Sequence, residues 1–218
     1  MPVTTFPSTL STNNVYFYAE NANYNVAHDG DADFLTINAM LYAYQRRLAG
    51  KYHISRVPLQ FDTSPLGAGA EIISAYLAFV LHGKFYVGGH DDLVVVDATG
   101  LVFDGTFYRA LLDKTTSHGL INTADLPEIN ESFQINLNAL GLAIINKTGI
   151  TKFGMRLGRD ISATPQVDIT GVRTYAGNNG EGWWPTITIE YTPAPAVARK
   201  GNIVIDQLIY KHAERMRR

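Results

Sequence analysis

The chain reads as a series of short runs in which apolar and polar residues alternate with a period of two; runs with helical spacing are few. Ser132–Leu137 alternates cleanly, with Phe133, Ile135 and Leu137 on one side. Thr151–Leu157 places Phe153, Met155 and Leu157 on one side, and Pro185–Tyr191 sets Ile187, Ile189 and Tyr191 against Thr186, Thr188 and Glu190. Further strands are predicted at Val15–Tyr18, Phe34–Asn38, Tyr52–Phe61, Phe85–Val87, Leu93–Val96, Phe107–Leu112 and Val172–Tyr175. Ile72–Leu81 is apolar on both faces and predicts a strand buried on both sides. Pro58 implies an edge or a bulge within Tyr52–Phe61. The interior helix signal is Asn138, an N-cap residue, ahead of Ala139–Ile145, with Gly149 as the stop.

Nine or ten short strands separated by turn signals, with little helix, predict an all-β fold: a jelly-roll-like β-sandwich with one short internal helix. Residues 1–14 are rich in Thr, Ser, Asn and Pro and read as an irregular N-terminal arm. The sandwich spans 15–192, and Asn21–Asn25 and His28–Asp33 read as links within it. Residues 193–201 form a Pro/Ala linker leaning to polyproline II. In 202–218, Ile205, Leu208, Ile209, His212 and Met216 fall at helical spacing and predict a C-terminal basic amphipathic helix. A helix that short is marginal alone and needs a surface to dock on.

Composition narrows the chemistry. The 218 residues include no cysteine, which removes disulfides, thiolate nucleophiles and cysteine metal sites. A net charge of −2 argues against nucleic-acid binding through a general basic surface. The charge is uneven, however: residues 1–45 carry no Lys or Arg and four acidic residues, whereas 193–218 carry six basic and two acidic residues. Such ends suit pairing with something of opposite sign. No apolar run reaches the roughly 20 residues that span a bilayer, so membrane insertion is not expected. The first residues have neither a basic nor an apolar segment of a signal peptide, so synthesis in a cytoplasm without export is expected.

Three stretches carry a resemblance. Arg56–Ser64 followed by Gly69–Leu77, then Phe133–Asn138 with Ile144–Arg156 and Asp160, and last Pro185–Thr192, resemble DNRLRE-type and carbohydrate-binding-module-like jelly rolls. Modules of this kind recur in surface proteins and in structural proteins of tailed phages. The resemblance implies a virion structural protein, decorating a capsid or forming part of a tail or fibre, whose partners are its own copies and other virion proteins. The alternative it implies is a carbohydrate-binding module or adhesin that meets a surface glycan.

Candidate chemistry is sparse, and no enzyme is expected: nucleotide-binding glycine loops, His-Glu-x-x-His and Gly-x-Ser-x-Gly are all absent from the sequence. Tyr175 with Trp183 and Trp184 could form an aromatic platform for a sugar ring, or one Trp could plug the end of the sandwich. Asp29, Asp31 and Asp33 alternate around Gly30 and could hold a structural Ca²⁺, or form a solvated acidic loop. His82, His90, Asp91 and Asp92 match no metal-ligand spacing. The contacts between subunits are expected from Tyr16 and Tyr18 in the aromatic N-terminal third and from Arg199, Lys200, Ile205, Leu208, Ile209 and Met216 at the other end.

Overall fold

The computed structural model describes residues 1–9, 15–32, 34–37, 40–87, 89–166, 168–176 and 183–195. The expected C-terminal helix, with Arg199, Lys200, Ile205, Leu208, Ile209 and Met216, lies outside the described residues, as do Asp33 and most of the loop before Trp183.

Alternation becomes strand almost throughout. The strands are β1 (Val3–Pro7), β2 (Val15–Asn21), β3 (Phe34–Ile37), β4 (Met40–Leu48), β5 (Lys51–Asp62), β6 (Glu71–Phe85), β7 (Asp92–Asp97), β8 (Gly119–Asn122), β9 (Ser132–Asn136), β10 (Ile150–Leu157), β11 (Thr170–Tyr175) and β12 (Thr186–Thr192). Short helices are α1 (Tyr24–Asp29), α2 (Phe107–Ala110), α3 (Ala139–Ala143) and α4 (Gly158–Ile161). The strands form a curled antiparallel sheet in the order β1-β12-β6-β11-β4-β5-β10-β7-β8, with β2 and β3 attached through β5 and β9 through β6. This is an all-β, jelly-roll-like sandwich. Among the described residues, no helix is long and apolar enough to cross a membrane.

The two longest strands curl the sheet by changing partners along their length. β5 pairs with β2 as far as Arg56, and with β10 from Val57 onward. Pro58 sits just beyond that change, opposite Gly154 of β10. The sequence reading asked for an edge or a bulge there; a strand leaving one partner for another meets the same need, since proline has no N–H to donate. β6 pairs with β12 and β9 along its first part and with β11 near its end. Its burial alternates: Ala75, Leu77, Phe79 and Leu81 are buried, while the residues between them are half-exposed. Among the described residues Ile72–Leu81 is therefore covered on one face, not two.

Met40–Leu48, Gly119–Asn122 and Gly158–Ile161 add elements the sequence reading did not predict, the expected strand Phe85–Val87 is no separate element because β6 runs on to Phe85, and three further segments change character. The N-terminal arm contains β1, which zips onto β12 from Val3↔Glu190 to Pro7↔Thr186 and buries Phe6. The Phe107–Leu112 run holds helix α2 instead of a strand. The Asp104 carbonyl accepts from Phe107 N–H and the Asp104 carboxylate accepts from Thr106 N–H, which turns the chain, and Phe107, Tyr108 and Leu111 are then buried together. The Asn21–Asn25 and His28–Asp33 links give way to helix α1, where the Asn23 side chain accepts from Asn25 N–H and Tyr24, Ala27 and His28 form the buried face. The Asn138 cap is present as expected, its side chain accepting from Gly141 N–H.

Apolar burial is divided in two. The larger core lies under β5, β6, β9, β10 and β12, with Phe61, Phe79, Ile135, Phe153 and Ile189 at its centre. A smaller core joins Phe17, Ile54, Val94 and Val96 to Phe107, Tyr108 and Leu111, and α1 closes it.

Candidate functional site

Two pairs of arginines on neighbouring strands form the unusual chemistry of this fold. The first is Arg56 on β5 and Arg156 on β10. The register Met155↔Val57 brings them side by side on the face that looks into the smaller core. Both side chains are fully buried. Asp160 lies one helical turn after Arg156, in α4, and enters between them. Its Oδ1 accepts from Arg56 Nη2 at 2.7 Å, and its Oδ2 accepts from Arg56 Nε at 2.9 Å and Arg156 Nε at 2.6 Å. Arg56 also donates to the Tyr108 carbonyl at 2.6 Å and the His28 carbonyl at 3.0 Å, and it rests over the Tyr108 ring. Arg156 donates to the Leu111 carbonyl at 2.6 Å, and His28 Nε2 donates to the Asp160 backbone carbonyl at 2.7 Å.

Burial alone would raise the Asp160 carboxyl, but the Arg56 and Arg156 guanidiniums outweigh it and hold the group well below the usual carboxylate range. Burial likewise raises the Tyr24 hydroxyl to about 12. Every oxygen of Asp160 is occupied and the cluster is shut off from solvent. It is a clasp that ties α1, α2 and α4 to the sheet, with no face open to a substrate.

The second pair, Arg46 on β4 and Arg173 on β11, is set quite differently. Tyr42, Tyr44 and Arg46 share one face of β4, and the register Arg173↔Tyr42 puts Arg173 on that face too. The opposite face of these strands is fully buried by Leu41, Ala43, Gln45, Val172 and Thr174. Tyr16 of β2 joins the first face, its ring centroid 4.8 Å from that of Tyr42. Together with Phe85 at the end of β6, these side chains line an open cavity of about 380 Å³. Gly171 makes the close approach of the strands possible. It sits opposite Tyr44 with φ at 146°, and a Cβ there would run into the Ala43 carbonyl oxygen.

The guanidiniums rest on rings: Arg46 Cζ is 5.3 Å from the Tyr44 centroid, and Arg173 Cζ is 5.8 Å from Tyr42 and 6.0 Å from Phe85. The Nε atoms of Arg46 and Arg173 are buried and have no hydrogen-bond partner. Among the described residues no carboxylate forms an ion pair with either arginine; Glu20, across β5, pairs with Lys51 at 2.6 Å, lies 3.3 Å from His53 and is drawn on by Arg46 at longer range. The neighbouring imidazoles register this surplus of positive charge. Burial first, and then Arg46 and Arg173 respectively, push His53 and His82 below the usual histidine range.

The residues singled out in the sequence are placed as follows. Tyr175 and Trp183 meet edge to face, with centroids 4.6 Å apart and planes at 69°, and the Tyr175 hydroxyl donates to Asn130 at 2.9 Å. Trp183 and Trp184 are both half-buried. Tyr16 and Tyr18 stack 6.0 Å apart; Tyr16 is buried and Tyr18 is half-buried. Asp29 lies 2.5 Å from His28 Nδ1, and Asp31 lies 3.9 Å from Arg109. Among the described residues no group of three or more His, Asp or Glu side chains is arranged to hold a metal.

Sequence reasoning missed both arginine pairs. The signals that could have found them are a charge inside an otherwise apolar strand, at Arg56 and Arg156, and the period-two sequence Tyr42, Tyr44, Arg46. The chain matches no family model and no curated protein.

Proposed function

We propose that the chain is a non-catalytic structural protein of a tailed-phage virion, decorating a capsid or forming part of a tail or fibre, and acting through contacts between subunits. The virion setting rests on the resemblance of the core strands to jelly-roll modules of such particles. The observation that supports an assembly role is β1. Among the described residues Val3–Pro7 pairs with β12 alone, held also by Thr5 Oγ1 to Thr188 Oγ1 at 2.9 Å; Ser8 and Thr9 just beyond it turn to β5, which leaves the outer edge of the start of the strand open to another strand. An open edge is a template for pairing with another chain.

Sedimentation of the full chain beside variants lacking residues 1–8 or 199–218 tests this. The full chain should form a defined oligomer or join purified particles, and each truncation should lose that association while keeping a cooperative melt. A full chain that stays monomeric and joins no particle overturns the reading.

A carbohydrate-binding role is the second reading, supported by the contact between Tyr175 and Trp183. A glycan array probed with the parent and with Trp183→Ala tests it; no glycan bound by the parent ends it.

A further inference from the structure

We infer that the cavity between Arg46 and Arg173 is a binding site for an acidic sugar residue, a pyranose ring bearing a carboxylate such as a uronic or sialic acid. This inference does not depend on the virion reading, and the site is separate from Tyr175 and Trp183.

Two guanidiniums reach the cavity from adjacent strands; no carboxylate of the described residues forms an ion pair with either one, and Glu20 acts on Arg46 only at longer range, across His53. Each has a buried Nε without a partner. Those two atoms are closed off, that of Arg173 lying against Gly83, so the remaining guanidinium nitrogens are what a ligand in the cavity can reach. A carboxylate suits planar guanidinium donors because it can accept two bonds from one fork.

The walls then select what carries the carboxylate. Tyr16, Tyr42 and Tyr44 present apolar ring faces together with hydroxyls, which fits a ring with one C–H face and many hydroxyl groups. The rings are not parallel: Tyr16 and Tyr42 are inclined at 46°, and Tyr42 and Tyr44 at 79°. They make a cup and not the flat slot in which a nucleobase stacks. The volume, about 380 Å³, is at the small end for ligand sites and suits a single ring. A net charge of −2 gives the chain none of the extended basic field that holds a nucleic-acid backbone.

Titration of the intact protein, followed by the tyrosine ring signals in NMR and by calorimetry, decides the matter. The probes are N-acetylneuraminic acid, glucuronic acid and galacturonic acid, with glucose, inorganic phosphate and oligothymidylate beside them. At least one acidic sugar should bind saturably, shift the ring signals, and lose affinity as salt is raised. Glucose should bind at least about tenfold more weakly, which is what loss of one charge-assisted contact costs. Arg46→Ala and Arg173→Ala should each weaken binding by about tenfold or more, whereas Trp183→Ala should leave it unchanged.

The inference is overturned if no acidic sugar shifts the ring signals of the parent. It also falls if glucose binds equally well, or if phosphate or oligothymidylate binds more tightly than every acidic sugar. The parent titration stands even if an arginine variant fails to fold. A folded Arg173→Ala that binds like the parent also overturns it.

Discussion

The two arginine pairs are alike in placement and opposite in environment. Each joins neighbouring antiparallel strands and lies on one face of the sheet. Arg56 and Arg156 are fully buried, share Asp160, and reach backbone carbonyls of three helical segments. Arg46 and Arg173 are half-buried, rest on tyrosine and phenylalanine rings, and form no ion pair with a carboxylate among the described residues. A fully buried cation must be neutralised from within the fold, because an unpaired charge there is prohibitively costly. A half-buried cation keeps some water and can wait for a partner from outside. The difference separates an arginine that holds the structure from one that is free to recognise a ligand.

The sharpest way to break the contrast is to remove the shared carboxylate. Asp160→Ala leaves two buried guanidiniums uncompensated, and the expected loss is about 3–5 kcal/mol. That is a large part of the roughly 5–15 kcal/mol by which domains are stable, so the melt should fall steeply or the chain should not fold. A loss under about 1 kcal/mol would mean that water reaches the clasp. Acid does the same thing reversibly. Asp160 is held below its unfolded value, so the unfolded chain binds more protons in the acid range. The stabilisation is therefore present above about pH 4 and is lost as pH falls below it. In Asp160→Asn, if it folds, the acid limb of the stability curve should be flatter than in the parent.

Gly171→Ala comes next. The new Cβ would meet the Ala43 carbonyl and Tyr44 Cα while the residue is held at positive φ. Strain of that kind costs about 1–3 kcal/mol. The β4–β11 ladder would have to part, and the cavity opposite Tyr44 would change shape. A variant that melts like the parent would show that these strands can separate without cost.

How much of this was legible beforehand follows from what each feature depends on. β9, β10 and β12 were legible because alternation is a local property: apolar side chains take one face of each strand and polar, charged or small ones the other, even where both faces of β10 are buried. Met40–Leu48 was missed although Tyr42, Tyr44 and Arg46 alternate with Leu41, Ala43 and Gln45; here both faces are partly buried and the aromatic residues masked the period. Phe107–Leu112 has strand-favouring residues, but the Asp104 turn and the burial of Phe107, Tyr108 and Leu111 override that preference. β1 was hidden by a Thr- and Pro-rich composition, and only its pairing with β12 reveals it. The arginine pairs depend on register. That Arg56 stands beside Arg156, and Arg173 beside Tyr42, is fixed by residues a hundred or more positions apart, which no single stretch displays.

The smallest effect is the one that best completes the comparison. Arg173→Ala removes ring contacts worth about 0.5–1 kcal/mol at a partly exposed site. It also removes a buried Nε with no partner, a liability of about 1–3 kcal/mol where desolvation is complete and less at a half-buried site. The two offset, so the melt of Arg173→Ala should match the parent within about 0.5 kcal/mol, as surface changes usually do. Arg156→Ala should instead lose several kcal/mol, since it breaks the buried clasp. The electrostatic consequence is directional. Burial and then Arg173 hold His82 below the usual histidine range, so removing the guanidinium should raise the His82 pKa. An NMR titration of the imidazole reads this directly. If His82 titrates unchanged in a folded Arg173→Ala, the positive charge of the cavity is already neutralised, and the distinction between the two arginine pairs fails at its weaker member.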